Sequence, residues 1–344
     1  MSAAAVVGSN GAYEIKQWRT FLIFLAILSF TTLSNLYANK ILPKWNDGAC
    51  KLSFFSSITL RLIVSVYWSI LAVIVISTTI VVTSKKNDAS FVFTNFTNET
   101  GWSNGTAWIL GLLQSALSLI GFDAACHMTE EMPSPRKDTP RAMIYAILVG
   151  GITGIAFILI ILFCITDIDT VLHTSTNMPI TELIYQATGS RAAAVVLTTM
   201  LAVCFINGTN GCVTSASRLL FAMARDKGMP FSGFFSTINP STHVPARSVL
   251  FCFVFNLLFG LLYLGPSVAF NAYVASTTIF LNVSYALPVV ILVVRGRKVL
   301  AHTTVAFSLG KYGYFANYVG IIFVGVTSVV SPLYLCIVRN PNTA

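Results

Sequence analysis

Charge is what this sequence lacks most. Of its 344 residues only 10% are Asp, Glu, Lys or Arg, against about 25% in a water-soluble domain. Hydrophobic residues make up 55%, and the mean hydropathy is +0.77. That balance excludes an ordinary soluble globule and defines an integral membrane protein. Signatures of chemistry are missing too. The seven cysteines (Cys50, Cys126, Cys164, Cys204, Cys212, Cys252, Cys336) are odd in number, form no C-x-x-C pair and mostly lie in apolar runs. They read as small hydrophobes, not as a disulfide frame or a metal cage. There is no G-x-S-x-G, and the four histidines (His127, His173, His243, His302) stand in separate loops or helix ends, so no nucleophilic constellation forms and an enzyme is not expected. Without a G-x-x-x-x-G-K loop, ATP-driven pumping is not encoded, and no cofactor is called for. The basic surplus, 21 Lys and Arg against 12 Asp and Glu, is scattered between apolar runs and offers no face for a nucleic acid. One metal-like group, His127 with Glu130 and Glu131, shares a helical face. It is cut short by Pro133 and Pro135 and has no second ligand cluster.

What is present is a series of long apolar runs. A spanning helix needs about 20 apolar residues, because each rises ~1.5 Å through ~30 Å of hydrocarbon. Eight segments qualify: 20–39, 62–83, 107–126, 142–165, 192–213, 248–264, 268–294 and 314–338. The expected fold is therefore all-α, with about eight transmembrane helices over residues 20–338 and tails at 1–19 and 339–344. Gly265-Pro266-Ser267 leaves room only for an antiparallel hairpin between the sixth and seventh.

Fourteen Lys and Arg fall on one side of this zigzag and six on the other, with Arg61 inside the second segment. The positive-inside rule puts the richer side in the cytoplasm and both chain ends opposite. Three glycosylation sequons, at Asn95, Asn98 and Asn104, cluster in one loop on the non-cytoplasmic side and agree. Residues 1–19 hold no apolar run to carry them across. Topology thus leads to the expectation that the sequence begins mid-protein, with a small translocated tail as the alternative.

Breaks in the apolar pattern are the pointers to function, since polar groups in lipid are costly unless they face a cavity or another helix. The first is Gly121-Phe122-Asp123, where a carboxylate follows a glycine. A mid-membrane Asp costs ~2.5–3.5 kcal/mol unless it is paired, hydrated or in contact with substrate; the alternative is that the helix ends there and Asp123 is an interfacial cap for the next segment. The second is Asn207-Gly208-Thr209-Asn210-Gly211, able to unwind, present carbonyls to a cation or admit a neighbouring helix. The third is the polar run Asn271, Ser276, Thr277, Thr278, Asn282, Ser284 and Pro288, which reads as a helix facing water or a ligand path or as Ser and Thr satisfying their own backbone. Gly150 and Gly154 read as packing notches. Ser217 to Pro230 reads as an interfacial amphipathic helix with Arg218 and Arg225 on its wet side.

Two of these stretches, Gly121 to Ala142 and Ser217 to Pro230, resemble the amino acid, polyamine and organocation (APC) superfamily, and within it the fungal permeases for choline, GABA and amino acids. Further matches are Thr97 to Trp102, Tyr185 to Gly189, Phe205 to Gly211 and Tyr263 to Tyr273. The resemblance implies a LeuT-like transporter built from two inverted five-helix repeats, with helices 1 and 6 broken at the membrane midplane. The eight segments would then be helices 4 to 11, Gly121-Phe122-Asp123 the break of helix 6, and Asn207, Asn210 and Asn282 positions on helices 8 and 10 facing the substrate. The glycine-rich break of helix 1 has no counterpart here; Gly8-Ser9-Asn10 is only a superficial echo.

The reading is a permease in a lipid bilayer, expected in the plasma membrane. It would move choline, GABA or an amino acid by alternating access on an H+ or Na+ gradient. A cationic headgroup would sit against Phe122 by cation–π attraction with Asp123 supplying charge. The alternative is a shortened, non-transporting membrane protein that associates with full-length permeases; a channel lacks its ring of repeated pore-lining residues. Reading the coding DNA upstream of Met1 tests the mid-protein expectation, the expected result being an apolar segment with a glycine-rich interruption.

Overall fold

The computed structural model describes residues 1–9, 13–46, 57–98, 102–129, 132, 134–176, 178–242, 244–265, 267–296, 309–310 and 312–339. Among these residues there are helices and no strands. The chain runs through α1 (Ser2–Gly8), α2 (Gln17–Asn46), α3 (Ser57–Thr83) and α4 (Ala89–Phe93). It continues with α5 (Asn104–Ser118), α6 (Ala124–His127), α7 (Pro135–Cys164), α8 (Ile168–Leu172) and α9 (Pro179–Thr188). The last five are α10 (Arg191–Arg225), α11 (Ser232–Phe235), α12 (Ala246–Gly260), α13 (Ser267–Arg295) and α14 (Tyr312–Arg339).

Six described stretches are long and apolar enough to cross a bilayer. They lie in α2, α3, α7, α10, α12 with its 3-10 extension to Leu264, and α13. Of the other two expected spans, the third is the 15-residue α5, which stops at Ser118, and the eighth is the 28-residue α14. Large apolar side chains such as Ile152, Ile155 and Ile158 on α7 stay exposed, as a hydrocarbon solvent allows. This is a multi-pass, all-α integral membrane protein.

Two compact units divide the chain. The first comprises Met1–Asn95 and Thr153–Leu264. Its core is built by Ile76 and Ile80 of α3, Val171 of α8, Leu183, Ile184 and Ala187 of α9, and Ala194 and Leu197 of α10. Short-range chemistry sets the α9–α10 corner. Pro179 opens α9, where its missing N–H removes nothing. Gly189 at φ +61 closes it in the left-handed conformation that a side chain would oppose. Ser190 then caps α10 by accepting from the Ala193 amide. The end of α7 is caught by Asn87. Its amide donates to the Phe163 carbonyl (2.7 Å) and its Nδ2 to those of Leu162 (3.2 Å) and Ile165 (2.6 Å), carbonyls that have no helical donor.

The second unit comprises Phe96–Ile152 and Gly265–Ala344. Here α14 packs along α13 and against α5. Thr278 and Asn282 of α13 and Thr327 of α14 are buried polar residues of this unit.

Several boundaries differ from the sequence expectation. α7 begins at Pro135, seven residues before the apolar run, because Pro135 at the first helical position is favoured; Pro140 lies inside the helix, where it offers no N–H to the Arg136 carbonyl. The Asn207–Gly211 stretch does not unwind: α10 passes through it as one 35-residue helix. Polar groups along it find partners without a break: the Thr209 hydroxyl donates to the Phe205 carbonyl, and the Thr214 hydroxyl lies 2.8 Å from the Asn210 carbonyl, which competes with Asn35 for its one proton. Asn35 of α2 adds partners across the helix pair. Its Nδ2 donates to Asn210 Oδ1 (2.9 Å) and its Oδ1 accepts from the Thr214 hydroxyl (2.6 Å). Ser217 to Arg225 is therefore the continuation of a span and not a separate interfacial helix. α10 ends in a Schellman motif, with Gly228 N–H bonded to the Met223 carbonyl and Lys227 N–H to that of Ala224. The left-handed position is held by Lys227 (φ 58) and not by the glycine beside it. Gly150 and Gly154 are not packing notches among the described residues, since nothing lies within 4 Å of where a Cβ would stand.

Two substitutions test this account by thermal unfolding in detergent. Asn35→Ala removes the donor to Asn210 Oδ1, while Thr214 keeps the Asn210 carbonyl, and should lower stability by about 1–2 kcal/mol. Lys227→Gly removes the left-handed strain and should raise stability by up to about 1 kcal/mol.

Candidate functional site

The apolar run that opens at Asn104 is interrupted where the sequence places its first break. α5 stops at Ser118, residues 119–123 are non-helical, and the chain resumes as the single turn α6. Gly121 makes the interruption possible: its φ of +90 lies where a Cβ would clash with the backbone, and here nothing else crowds it. Asp123 sits at the N-cap of α6, yet its carboxylate caps nothing. It turns instead to two other side chains.

Both of its oxygens are engaged. The Tyr285 hydroxyl, from α13, donates to Oδ1 at 2.6 Å. His127 Nε2, one helical turn beyond Asp123, lies 3.1 Å from Oδ2. The same Tyr285 oxygen accepts the Gly121 N–H at 3.2 Å, so one phenol satisfies the backbone amide released by the break and orients the carboxylate next to it. The Phe122 ring lies against the Tyr285 ring, centroids 4.9 Å apart and tilted by 41°. The side chains of His127 and Asp123 keep 22% and 26% of their surface exposed.

Asn282 is buried on α13, three residues before Tyr285 and four after the buried Thr278. These three residues line one face of the helix, at spacings of four and three. The unit therefore brings together Gly121, Phe122 and Asp123, with Asn282 one turn from the tyrosine that binds them. Asn207 and Asn210 belong to the first unit. Asn207 is half-buried, and the Asn210 carboxamide is shared with Asn35. A cavity of about 330 Å³ in the first unit is lined by Phe24, Leu28, Phe205, Ile206 and Thr209 among others. None of the six sequence-predicted site residues lines it.

Tyr285 and His127 are the site residues that sequence reasoning missed. In the sequence His127 belongs only to a metal-like group cut short by Pro133 and Pro135, whose Glu130 and Glu131 lie outside the described residues; among those described no group of three or more His, Cys, Asp or Glu could hold a metal. The signal that could have found it is the i, i+4 spacing from Asp123. Tyr285 carries no local signal beyond its place next to a polar run.

Chemically, the group offers one carboxylate, two aromatic rings and partial access to water. That combination suits a small cation, held by charge on one side and by ring quadrupoles on the other.

Comparison with known proteins places the chain in a class. The amino acid permease family matches residues 1–341, and the chain belongs to that family. A choline transporter of Saccharomyces cerevisiae is 35% identical over 307 residues, covering 88% of this chain and 51% of the transporter. An amino-acid permease of Arabidopsis thaliana is 34% identical over 277 residues, covering 77% and 53%. A swainsonine transporter of Arthroderma benhamiae is 28% identical over 331 residues, covering 92% and 62%. The chain thus spans about half the length of the first two relatives.

If Tyr285 ties the break to α13, Tyr285→Phe keeps the ring contact but frees the Gly121 amide and Asp123 Oδ1. Hydrogen exchange at Gly121 should then speed up by about fivefold, in line with the ~1 kcal/mol net worth of one hydrogen bond; unchanged exchange would refute the tie.

Proposed function

We propose that the chain forms most of the membrane core of a secondary transporter. It moves a small organic cation or amino acid, with choline, GABA and amino acids as the solute class, by alternating access on an H+ or Na+ gradient. The observation that carries this reading is the helix interruption at Gly121-Phe122-Asp123. A carboxylate is kept there, a quarter exposed, bonded to the Tyr285 hydroxyl and facing the His127 imidazole, with the Phe122 ring packed on that of Tyr285. A carboxylate in a membrane-spanning region is costly unless it is paired, hydrated or in contact with solute. Phe122 and Tyr285 would cradle the cationic headgroup, Asp123 would supply its counter-charge, and Asn282 would donate or accept for a neighbouring polar group of the solute. Asn207 and Asn210 are proposed as solute-facing polar positions of the first unit. The names of the relatives support a solute of this class, and the charge asymmetry of the loops supports an orientation with both ends of the chain facing away from the cytoplasm; the plasma membrane is the proposed location.

Uptake of radiolabelled choline, GABA and amino acids into vesicles carrying the chain tests the proposal. Asp123→Asn should lower uptake of the transported solute by about 10- to 100-fold, the loss of one charge-assisted contact worth ~1.5–3 kcal/mol. Equal uptake by the two forms would remove Asp123 from the site. No uptake by either form, together with co-purification of a longer permease, would favour a non-transporting partner.

A further inference from the structure

The three sequons between α3 and α5 hold their asparagines in different states. The loop leaves α3 and is fastened to the end of α7 by Asn87, whose amide donates to the Phe163 carbonyl at 2.7 Å. The short α4 follows, with Phe93 packed edge-on against Phe163, ring centroids 6.1 Å apart. α4 ends at Phe93, and residues 95–98 are non-helical. Asn95 and Thr97 both stand exposed there, and among the described residues no hydrogen bond engages either side chain.

Asn98 is held instead. Its Nδ2 donates to the Trp102 carbonyl at 2.6 Å and to Asn104 Oδ1 at 3.0 Å, which uses both of its N–H groups. Glu99 and Thr100 of its sequon lie outside the described residues. Asn104 accepts the second of those bonds and is the first residue of α5. The hydroxyl of Thr106, two residues on, is half-buried and shares a hydrogen bond with that of Ser103 at 2.9 Å. In a helix residues i and i+2 point to different faces, whereas in extended chain they share one. An enzyme that must grip an asparagine together with the hydroxyl two residues later can draw residues 95–97 into extended chain without melting a helix. At Asn104 it cannot.

We propose that Asn95 is an N-glycan acceptor, and that it is the one of the three sequons that carries the glycan. It rests on the orientation that places this loop opposite the cytoplasm. The donor, by class, is an oligosaccharide joined through its anomeric carbon to a lipid diphosphate. Asn95 Nδ2 gives up one proton and bonds to that carbon, the bond from the carbon to the diphosphate oxygen breaks, and the lipid diphosphate leaves with the electron pair. At Asn95 the folded chain loses no contact by this. At Asn98 the new bond would take the place of one of the two hydrogen bonds that hold the loop to the head of α5. Position along the chain agrees, because Asn95 lies twelve residues beyond Thr83, the end of α3, whereas Asn104 heads the apolar helix α5 itself.

The test translates the whole chain into glycosylation-competent microsomes and compares its gel mobility before and after an endoglycosidase that removes N-glycans. The unsubstituted chain should shift by one glycan. The shift should be lost in Asn95→Gln and also in Thr97→Ala, which leaves the asparagine in place, and should be kept in Thr97→Ser, Asn98→Gln and Asn104→Gln. A shift that persists in Asn95→Gln overturns the proposal, and so does its absence from the unsubstituted chain. In that last case Lys86→Cys, at an exposed position of the same loop, is treated with a membrane-impermeant maleimide in sealed microsomes, against the unsubstituted chain as background. Protection until detergent opens the vesicles leaves the orientation standing and overturns the acceptor alone. Labelling in sealed vesicles overturns the orientation as well.

Discussion

A helix broken among apolar residues releases backbone amides and carbonyls that hydrocarbon cannot satisfy, and in the second unit one phenolic oxygen meets that demand. Tyr285 accepts the Gly121 N–H, donates to Asp123 and lays its ring against Phe122. The break, the carboxylate's orientation and the aromatic wall all depend on this residue. Because Tyr285 occupies Oδ1, the second oxygen is left toward His127 and the accessible side. A carboxylate so held costs the fold little reorganisation when its partner changes, which is the condition for a site that binds and releases.

The first unit contains the same residue types and solves the problem in the opposite way. Asn207-Gly208-Thr209-Asn210-Gly211 holds two glycines and two carboxamides, yet α10 runs straight through. Hydroxyls at Thr209 and Thr214 lie against the helix's own carbonyls, and Asn35 bonds the Asn210 carboxamide across from α2. Polarity alone does not break a helix. What separates the two stretches is φ: Gly121 adopts +90, whereas Gly208 and Gly211 do not leave the negative range.

Membership of the amino acid permease family and the chemistry of the break agree in direction. The relatives' names speak of choline and of amino acids, solutes that carry an ammonium or quaternary nitrogen, and the Asp123 group offers one charge and two rings of the kind such nitrogens prefer. The polar stripe Thr278, Asn282, Tyr285 runs along one face of α13, with Thr278 and Asn282 buried.

The residues alone determined that the chain spans a membrane many times, roughly where the spans lie, and that residues 121–123 interrupt one of them. These are sums over neighbouring side chains, which hydropathy and a glycine beside a carboxylate record locally. The same local reading overestimated the break at Asn207 and cut α10 short, because helical continuity depended on Asn35, 175 residues away. The partners of Asp123 were likewise settled only by the tertiary structure. Tyr285 stands 162 residues from it, and the meeting of α13 with the break is a matter of which helix faces pack together. No periodicity within either segment encodes that choice, since a hydrogen bond is fixed by the position of both its ends.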